Sequence, residues 1–207
     1  MTVPSAIKVG ESTQATATAM LGDGTTKSVT SGWQSDTPVV ATVTSGGQVT
    51  GVGNGLANIF VISDGVQGTK SLRVVPDYQG QWGGTYVIDQ ATPFPSSVYQ
   101  HMCANDNYLA GAVISVSMTV AQSGESLTGQ YTAGNTTAPF VSLLNGNGGT
   151  IVSASSTMSV YRYDYTWRLN APASSRLSGA VVVSRTGSAG LIGGCTIEGH
   201  IVSLTKI

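Results

Sequence analysis

Between Ala112 and Gln122 the chain alternates without a break. Ile114, Val116, Met118 and Val120 fall on one side, and Ser115, Ser117 and Thr119 on the other. A period of two belongs to a β-strand with one dry and one wet face, because successive side chains leave a strand on opposite sides. The same grammar runs through most of the sequence, and helical periodicity is almost absent. Turn signals such as Asp23-Gly24, Ser45-Gly46-Gly47, Asp64-Gly65 and Ser123-Gly124 punctuate it at roughly 8–12-residue spacing, the rhythm of a sandwich or barrel. The chain is therefore read as all-β.

Composition narrows the function classes. Only 9% of the 207 residues are charged and the formal net charge is −1, against roughly 25% charged residues in an ordinary soluble domain. Such a chain has no field to steer nucleic acid or an anionic membrane, so nucleic acid is not an expected partner. No stretch approaches the roughly 18–20 unbroken apolar residues that cross a bilayer as a helix, so no transmembrane segment is expected. The opening Met1-Thr2-Val3-Pro4-Ser5 lacks a charged n-region and an apolar h-region. That start alone reads as cytoplasmic, whereas the charge-poor, Ser/Thr/Gly-rich composition fits an extracellular, cell-surface or periplasmic setting, with the chain part of a longer exported polypeptide. Its two cysteines, Cys103 and Cys195, match no metal or redox spacing and are expected to form a disulfide.

Residues 1–75 read as seven short strands. Thr13, Ala15, Ala17 and Ala19 share a face of one strand, and Val39, Ala41 and Val43 share a face of another. Strands at Leu56–Ile62 and Val66–Val75 follow Asn54-Gly55 and Asp64-Gly65, and Trp33 is read as a core residue. The ordered set Gly10-Glu11, Asp23-Gly24-Thr25, Trp33-Gln34-Ser35, Ala41-Thr42-Val43 and Val49-Thr50-Gly51 with Gly55 resembles the bacterial immunoglobulin-like domains of group 2. The resemblance covers residues 5–75. It implies an immunoglobulin-like sandwich in a surface or secreted bacterial protein, and it carries no catalytic residue.

A short linker, 76–79, leads to a second domain at 80–207 with eight strand candidates: Gly84–Ile88, Ala112–Gln122, Leu127–Thr132, Phe140–Leu144, Thr150–Ala154, Val160–Leu169, Leu177–Ser184 and Cys195–Lys206. Closure into an up-and-down barrel would remove the exposed edges of such a meander, and a second sandwich is the alternative. Gly199 interrupts alternation in the last strand and marks a candidate bulge. Gly80-Gln81-Trp82, Leu127-Thr128-Gly129-Gln130-Tyr131 and Glu198-Gly199-His200 resemble lipocalin and avidin-like barrels. Biotin is not expected, because Ile201 stands where an avidin-like pattern would offer a carboxylate.

The chemistry-bearing residues cluster in two places. Tyr161, Tyr163, Tyr165 and Trp167 share one face of a strand, with Arg162, Asp164, Thr166 and Arg168 on the other. Turned inward, the rings fill a core. Turned outward, or lining a mouth, they make a platform for a glycan, a lipophilic ligand or a protein surface; with the Arg/Asp face inward, a charged pocket results. The long connection Asp89–Ala110 contains Tyr99, His101, Cys103, Asn105-Asp106-Asn107 and Tyr108, and is a candidate lid. The candidate binding residues are thus Tyr161, Tyr163, Tyr165, Trp167, Tyr99 and Tyr108. No cofactor, metal or catalytic residue is assigned. His101 and His200, near Asp106, Glu198 and Asp89, are the only residues from which an acid–base site could be assembled. The expected function is non-catalytic binding by the barrel, presented by the first domain, with a purely structural spacer as the alternative.

Overall fold

The computed structural model of the chain describes residues 1–93, 108–158, 161–172, 175–187 and 194–207. It is all-β: strands β1 to β18 account for the regular structure, and no helix occurs among the described residues. The chain divides into two compact units, the first comprising Met1–Asp77 with Gly146–Gly148 and the second Tyr78–Asn145 with Gly149–Ile207.

In the first unit, β1 (Ala6–Lys8) runs parallel to β9 (Val66–Val75). β9 pairs with β8 (Gly55–Ser63), and β8 with β5 (Trp33–Ser35). A second sheet orders β2 (Ser12–Gln14), β7 (Gln48–Gly51) and β6 (Ala41–Val43), and β3 (Ala17–Met20) pairs only with β4 (Thr26–Val29). The core draws on both larger sheets: Ile7, Trp33, Ile59 and Leu72 from the first, Ala41 and Val49 from the second. β8 and β9 are joined by the two-residue turn Asp64-Gly65, with φ of 51° and 80°. That is the primed geometry whose twist suits a hairpin.

Two expectations for this unit are corrected. There are nine strands instead of seven, because β1 (Ala6–Lys8) adds one and the stretch Thr13–Ala19, which changes partners midway, adds another. β2 pairs with β7, Thr16 bridges to Thr2, and β3 continues on β4. Val39 does not share a buried face with Ala41 and Val43. It is 76% exposed, while Val40 and Ala41 are buried. A turn closed by Val40 N–H donating to the Thr37 carbonyl, 2.8–3.1 Å being the range of neighbouring turn bonds and 2.9 Å its own length, breaks the alternation before β6 begins.

The second unit is a meander closed on itself. Its strands are β10 (Gly80–Pro93), β11 (Val113–Ser123), β12 (Ser126–Ala133), β13 (Thr136–Leu143), β14 (Thr150–Met158), β15 (Tyr161–Leu169), the two-residue β16 (Arg176–Leu177), β17 (Gly179–Gly187) and β18 (Gly194–Lys206). The sheet order is β13-β12-β11-β10-β18-β17-β15-β14, with β16 also on β18. Consecutive long strands are therefore neighbours, and the first strand pairs with the last, the up-and-down barrel arrangement. A second sandwich is not what forms.

One junction lacks a ladder. β13 and β14 meet through the bridge Leu144–Thr150 and through side chains: Ser142 Oγ lies 2.5 Å from Thr150 Oγ1 and donates to the Ile151 carbonyl at 2.6 Å. Thr150 Oγ1 also donates to the Leu143 carbonyl at 2.9 Å. Pro139 sits in β13, where an edge position tolerates a residue with no N–H to offer.

The β10–β18 closure carries two irregularities, at Thr85/Tyr86 and at Ile88/Gln90. The bulge expected at Gly199 is thus in its partner: Asp89 is the extra residue, opposite the step from Gly199 to Glu198. Gly199 is needed for a different reason, since a Cβ there would collide with the Val87 carbonyl oxygen and crowd Tyr86. The candidate lid also begins later than Asp89, because β10 continues to Pro93.

Candidate functional site: the phenol-lined half of the barrel

The inward faces of the barrel strands carry apolar side chains at one end, and rings mixed with Val181, Val183, Ile88 and Ile197 further along. At the end where β10 starts, Trp82, Met118, Leu127, Leu169, Leu177 and Leu204 are all buried. Trp82 Nε1 donates to the Tyr78 carbonyl at 2.7 Å, and Tyr78 Oη donates to the Asn170 carbonyl at 2.8 Å. Tyr78, a residue of the expected linker, is 1% exposed and is held by its own N–H to Gln122 Oε1 at 2.8 Å. This end is an apolar plug whose few polar atoms have partners.

Toward the other end the rings gather. β15 turns its aromatic face inward: Tyr163, Tyr165 and Trp167 are buried and Tyr161 is half-buried, while Arg162 and Arg168 are exposed. The outward platform and the charged interior pocket are both set aside by this choice of face. Tyr86 of β10 meets Trp167 edge-on, with centroids 5.3 Å apart and planes at 86°. Tyr131 of β12 meets Tyr165 at 5.1 Å and Trp167 at 5.8 Å. Tyr163 and Tyr165 lie more nearly parallel, at 6.5 Å and 25°. Such pairs contribute about 0.5–1.5 kcal/mol each beyond their burial. Register explains how Tyr131 reaches Tyr165 across the unladdered junction. Ala138 is paired with Tyr131 and Ala154 with Tyr165, so the residues beside the two rings on the intervening strands are small.

The hydroxyls of Tyr86, Tyr108, Tyr131 and Tyr165 converge. Burial pushes the phenols of Tyr86 and Tyr131 well above the ordinary tyrosine range, and the neighbouring phenols Tyr165 and Tyr108 add to the effect. Burial also raises Tyr165, opposed by hydrogen bonds from Thr136 and Tyr108. All three buried phenols therefore stay protonated across the physiological range. Tyr131 Oη and Trp167 Nε1 are buried and have no hydrogen-bond partner among the described residues. A single orphaned indole is not diagnostic, since Trp33 Nε1 in the other unit shares that condition. Two orphaned polar atoms on rings that touch are a different matter, because burying each without a partner costs about 1–3 kcal/mol.

Nearer the rim, Arg185 is 4% exposed on the inward face of β17, and its guanidinium lies 3.7 Å from the Tyr161 ring centroid and 5.8 Å from that of Tyr163. A cation over a ring face is stabilised by the ring quadrupole.

Of the sequence candidates, Tyr161, Tyr163, Tyr165, Trp167 and Tyr108 come together here. Tyr99 lies outside the described residues, as do His101, Cys103 and Asn105–Asn107. Sequence reasoning missed Tyr86, Tyr131, Thr136 and Arg185. The phase of β10 was available as a signal, since Trp82, Gly84, Tyr86 and Ile88 alternate with polar or exposed neighbours, and so was Leu127-Gly129-Tyr131 in β12. Arg185 is a charge on an inward face and no pattern announced it.

The histidine alternative fares differently. His200 pairs with Asp89, Nδ1 to Oδ1 at 2.8 Å, on the outside of the barrel with side chains 54% and 52% exposed. The Asp89 bulge turns that carboxylate outward, so the pair lies away from the tyrosine cluster and not in a cleft. Asp164 is likewise exterior. Burial opposes its ionisation, but hydrogen bonds from Ser155 and Arg162 and the Arg162 charge outweigh it and hold its carboxyl below the ordinary range.

No protein-family model matches this chain, and no curated protein matches it significantly.

Proposed function

We propose that the second unit is a non-catalytic binding barrel that takes a small ligand into the phenol-lined half of its interior. In this reading the first unit is a group 2 immunoglobulin-like module that presents the barrel outside the bacterial cytoplasm. The observation that carries the binding reading is the pair of buried polar atoms without partners, Tyr131 Oη and Trp167 Nε1, on rings 5.8 Å apart. Buried polar atoms are satisfied by protein, water or ligand, and the other end of the same barrel satisfies its own with Tyr78 and Asn170. Inward rings favour a small ligand over a glycan or protein surface, since those would need the ring faces on the exterior.

A disulfide between Cys103 and Cys195 belongs to this reading. Cys195 is fully buried, is not a free thiol and pairs in register with Pro93, ten positions ahead of Cys103 in the sequence.

The competing reading is a structural barrel, favoured by the edge-on packing of Tyr86 on Trp167 and by the filled apolar end. A thermal-shift screen of a small-molecule library on the wild type and on Ala154→Phe separates the two. Ala154 is on the inward face of β14 beside Tyr165, so a phenyl group there fills the space a ligand would use. Binding predicts stabilising compounds whose effect disappears in the folded variant. If no compound stabilises the wild type, or every effect survives Ala154→Phe, the structural reading stands.

A further inference from the structure

We infer that the barrel's ligand is a small planar molecule that presents oxygen acceptors, a carbonyl or a carboxylate, to Tyr131 and Trp167. This inference rests on the binding-barrel reading. It follows from the donor and acceptor inventory of the inward wall. An indole N–H can only donate, so Trp167 Nε1 needs an acceptor. Tyr131 Oη has its proton to give, and burial keeps that proton in place. Tyr165 Oη shares hydrogen bonds with the Thr136 and Tyr108 hydroxyls.

Among the described residues, the buried polar side chains of the barrel other than its aromatic ones are Thr136, Ser142, Thr150 and Arg185, and none of these is a carboxylate or a side-chain amide. Ser142 and Thr150 bond to each other and to the backbone. The Tyr131 hydroxyl can accept as well as donate, but a ligand bearing only N–H donors would leave the Trp167 indole unpaired. Planarity follows from the setting, with the Tyr131, Tyr165 and Trp167 rings around the two orphaned atoms and the small residues Ala138 and Ala154 paired with Tyr131 and Tyr165. Flat faces and methyl groups accommodate a ring better than a branched chain.

The test uses the full chain and four probes of one ring each: benzoate and acetophenone as acceptors, benzylamine as a cationic donor, and toluene with no polar group. Binding is read by calorimetry and by tryptophan fluorescence, on the wild type, Tyr131→Phe and Trp167→Phe. The expected result is saturable binding of the two acceptor probes, at least tenfold tighter than benzylamine or toluene. Tyr131→Phe, which keeps the ring and its contacts, should weaken the acceptor probes roughly tenfold and leave toluene unchanged. Trp167→Phe gives the same comparison at the second donor, should either variant fold poorly.

Benzylamine or toluene binding as tightly as benzoate would overturn the acceptor inference and leave the binding barrel standing. Acceptor binding insensitive to both variants would do the same. No binding by any of the four would overturn the inference together with the reading beneath it.

Discussion

Replacing Tyr131 by Phe should make the free barrel more stable. Tyr131 is 0% exposed, its ring contacts Tyr165 at 5.1 Å and Trp167 at 5.8 Å, and its hydroxyl has no partner. Phe preserves the ring, its contacts and nearly all its volume, so no cavity forms. What disappears is a hydroxyl that was stripped of water on folding and given nothing in return, a penalty of about 1–3 kcal/mol. For a unit of this size, a gain of that order raises the melting temperature by about 3–10 °C. Tyr165→Phe is the matched control. Its hydroxyl is bonded to Thr136 and Tyr108, so its removal should lower stability, by about 0.5–1.5 kcal/mol. The opposite signs of two chemically identical substitutions, on rings that touch, are the content of the prediction. Urea unfolding followed by fluorescence of Trp82 and Trp167, with Trp33 reporting on the other unit, gives both values. Comparison is valid at an unchanged denaturant slope. If Tyr131→Phe destabilises as Tyr165→Phe does, the Tyr131 hydroxyl is satisfied in the folded protein, and the main argument for an interior ligand is gone.

Acid should weaken the first unit through Asp36. The Asn58 backbone N–H at 2.8 Å, with the Asn58 amide and Thr37 hydroxyl, holds its carboxyl below the ordinary value. A folded pKa below the unfolded one means the stabilisation is complete above the unfolded value and is lost as pH falls through the folded one. Asp36→Asn should flatten the acid limb of the first unit's unfolding transition, and an unchanged limb would remove Asp36 from the account. Reducing the proposed Cys103–Cys195 bridge should destabilise the second unit by about 4–5 kcal/mol on the chain-entropy view. Calorimetry with and without reductant measures this, and an unmoved transition would mean the bridge is not formed. The exposed His200–Asp89 pair should matter little. His200→Ala is expected to change stability by less than about 1 kcal/mol and to leave probe affinities unaltered, and a loss of binding would move the site to the outer wall. Gly199→Ala should be disproportionately harmful for one methyl group, because the Val87 carbonyl occupies the space. A folded variant with wild-type stability would show that β10 and β18 can separate there.

Strands that alternate for their whole length were legible: β11, β12 and β15 begin and end within a residue or two of the pattern that announced them. Legibility failed where the period was interrupted for a reason outside the strand itself. Asp89 shifts the phase of β10, so Gln90–Pro93 reads as loop although it pairs with Thr196–Glu198 and Cys195. The first half of β13, Thr136–Pro139, reads as loop because a proline is acceptable only to a strand with a free side, and the unladdered junction supplies one. Val39 followed the wrong face because alternation cannot reveal a turn wound from Thr37-Pro38. The site was half legible for a related reason. Which residues share a face is a property of one strand, and gave Tyr161, Tyr163, Tyr165 and Trp167. Which face points inward, and that Tyr86 and Tyr131 arrive from strands far off in sequence, depends on closure of the whole sheet.

The junction between β13 and β14 makes this barrel a split ring more than a hoop. Everywhere else the circumference is set by rows of backbone bonds that must break together. Here one backbone bridge, Leu144–Thr150, and two hydroxyls, on Ser142 and Thr150, hold the ends at one rim. The girth of the barrel beside Tyr131 and Tyr165 is therefore its softest dimension.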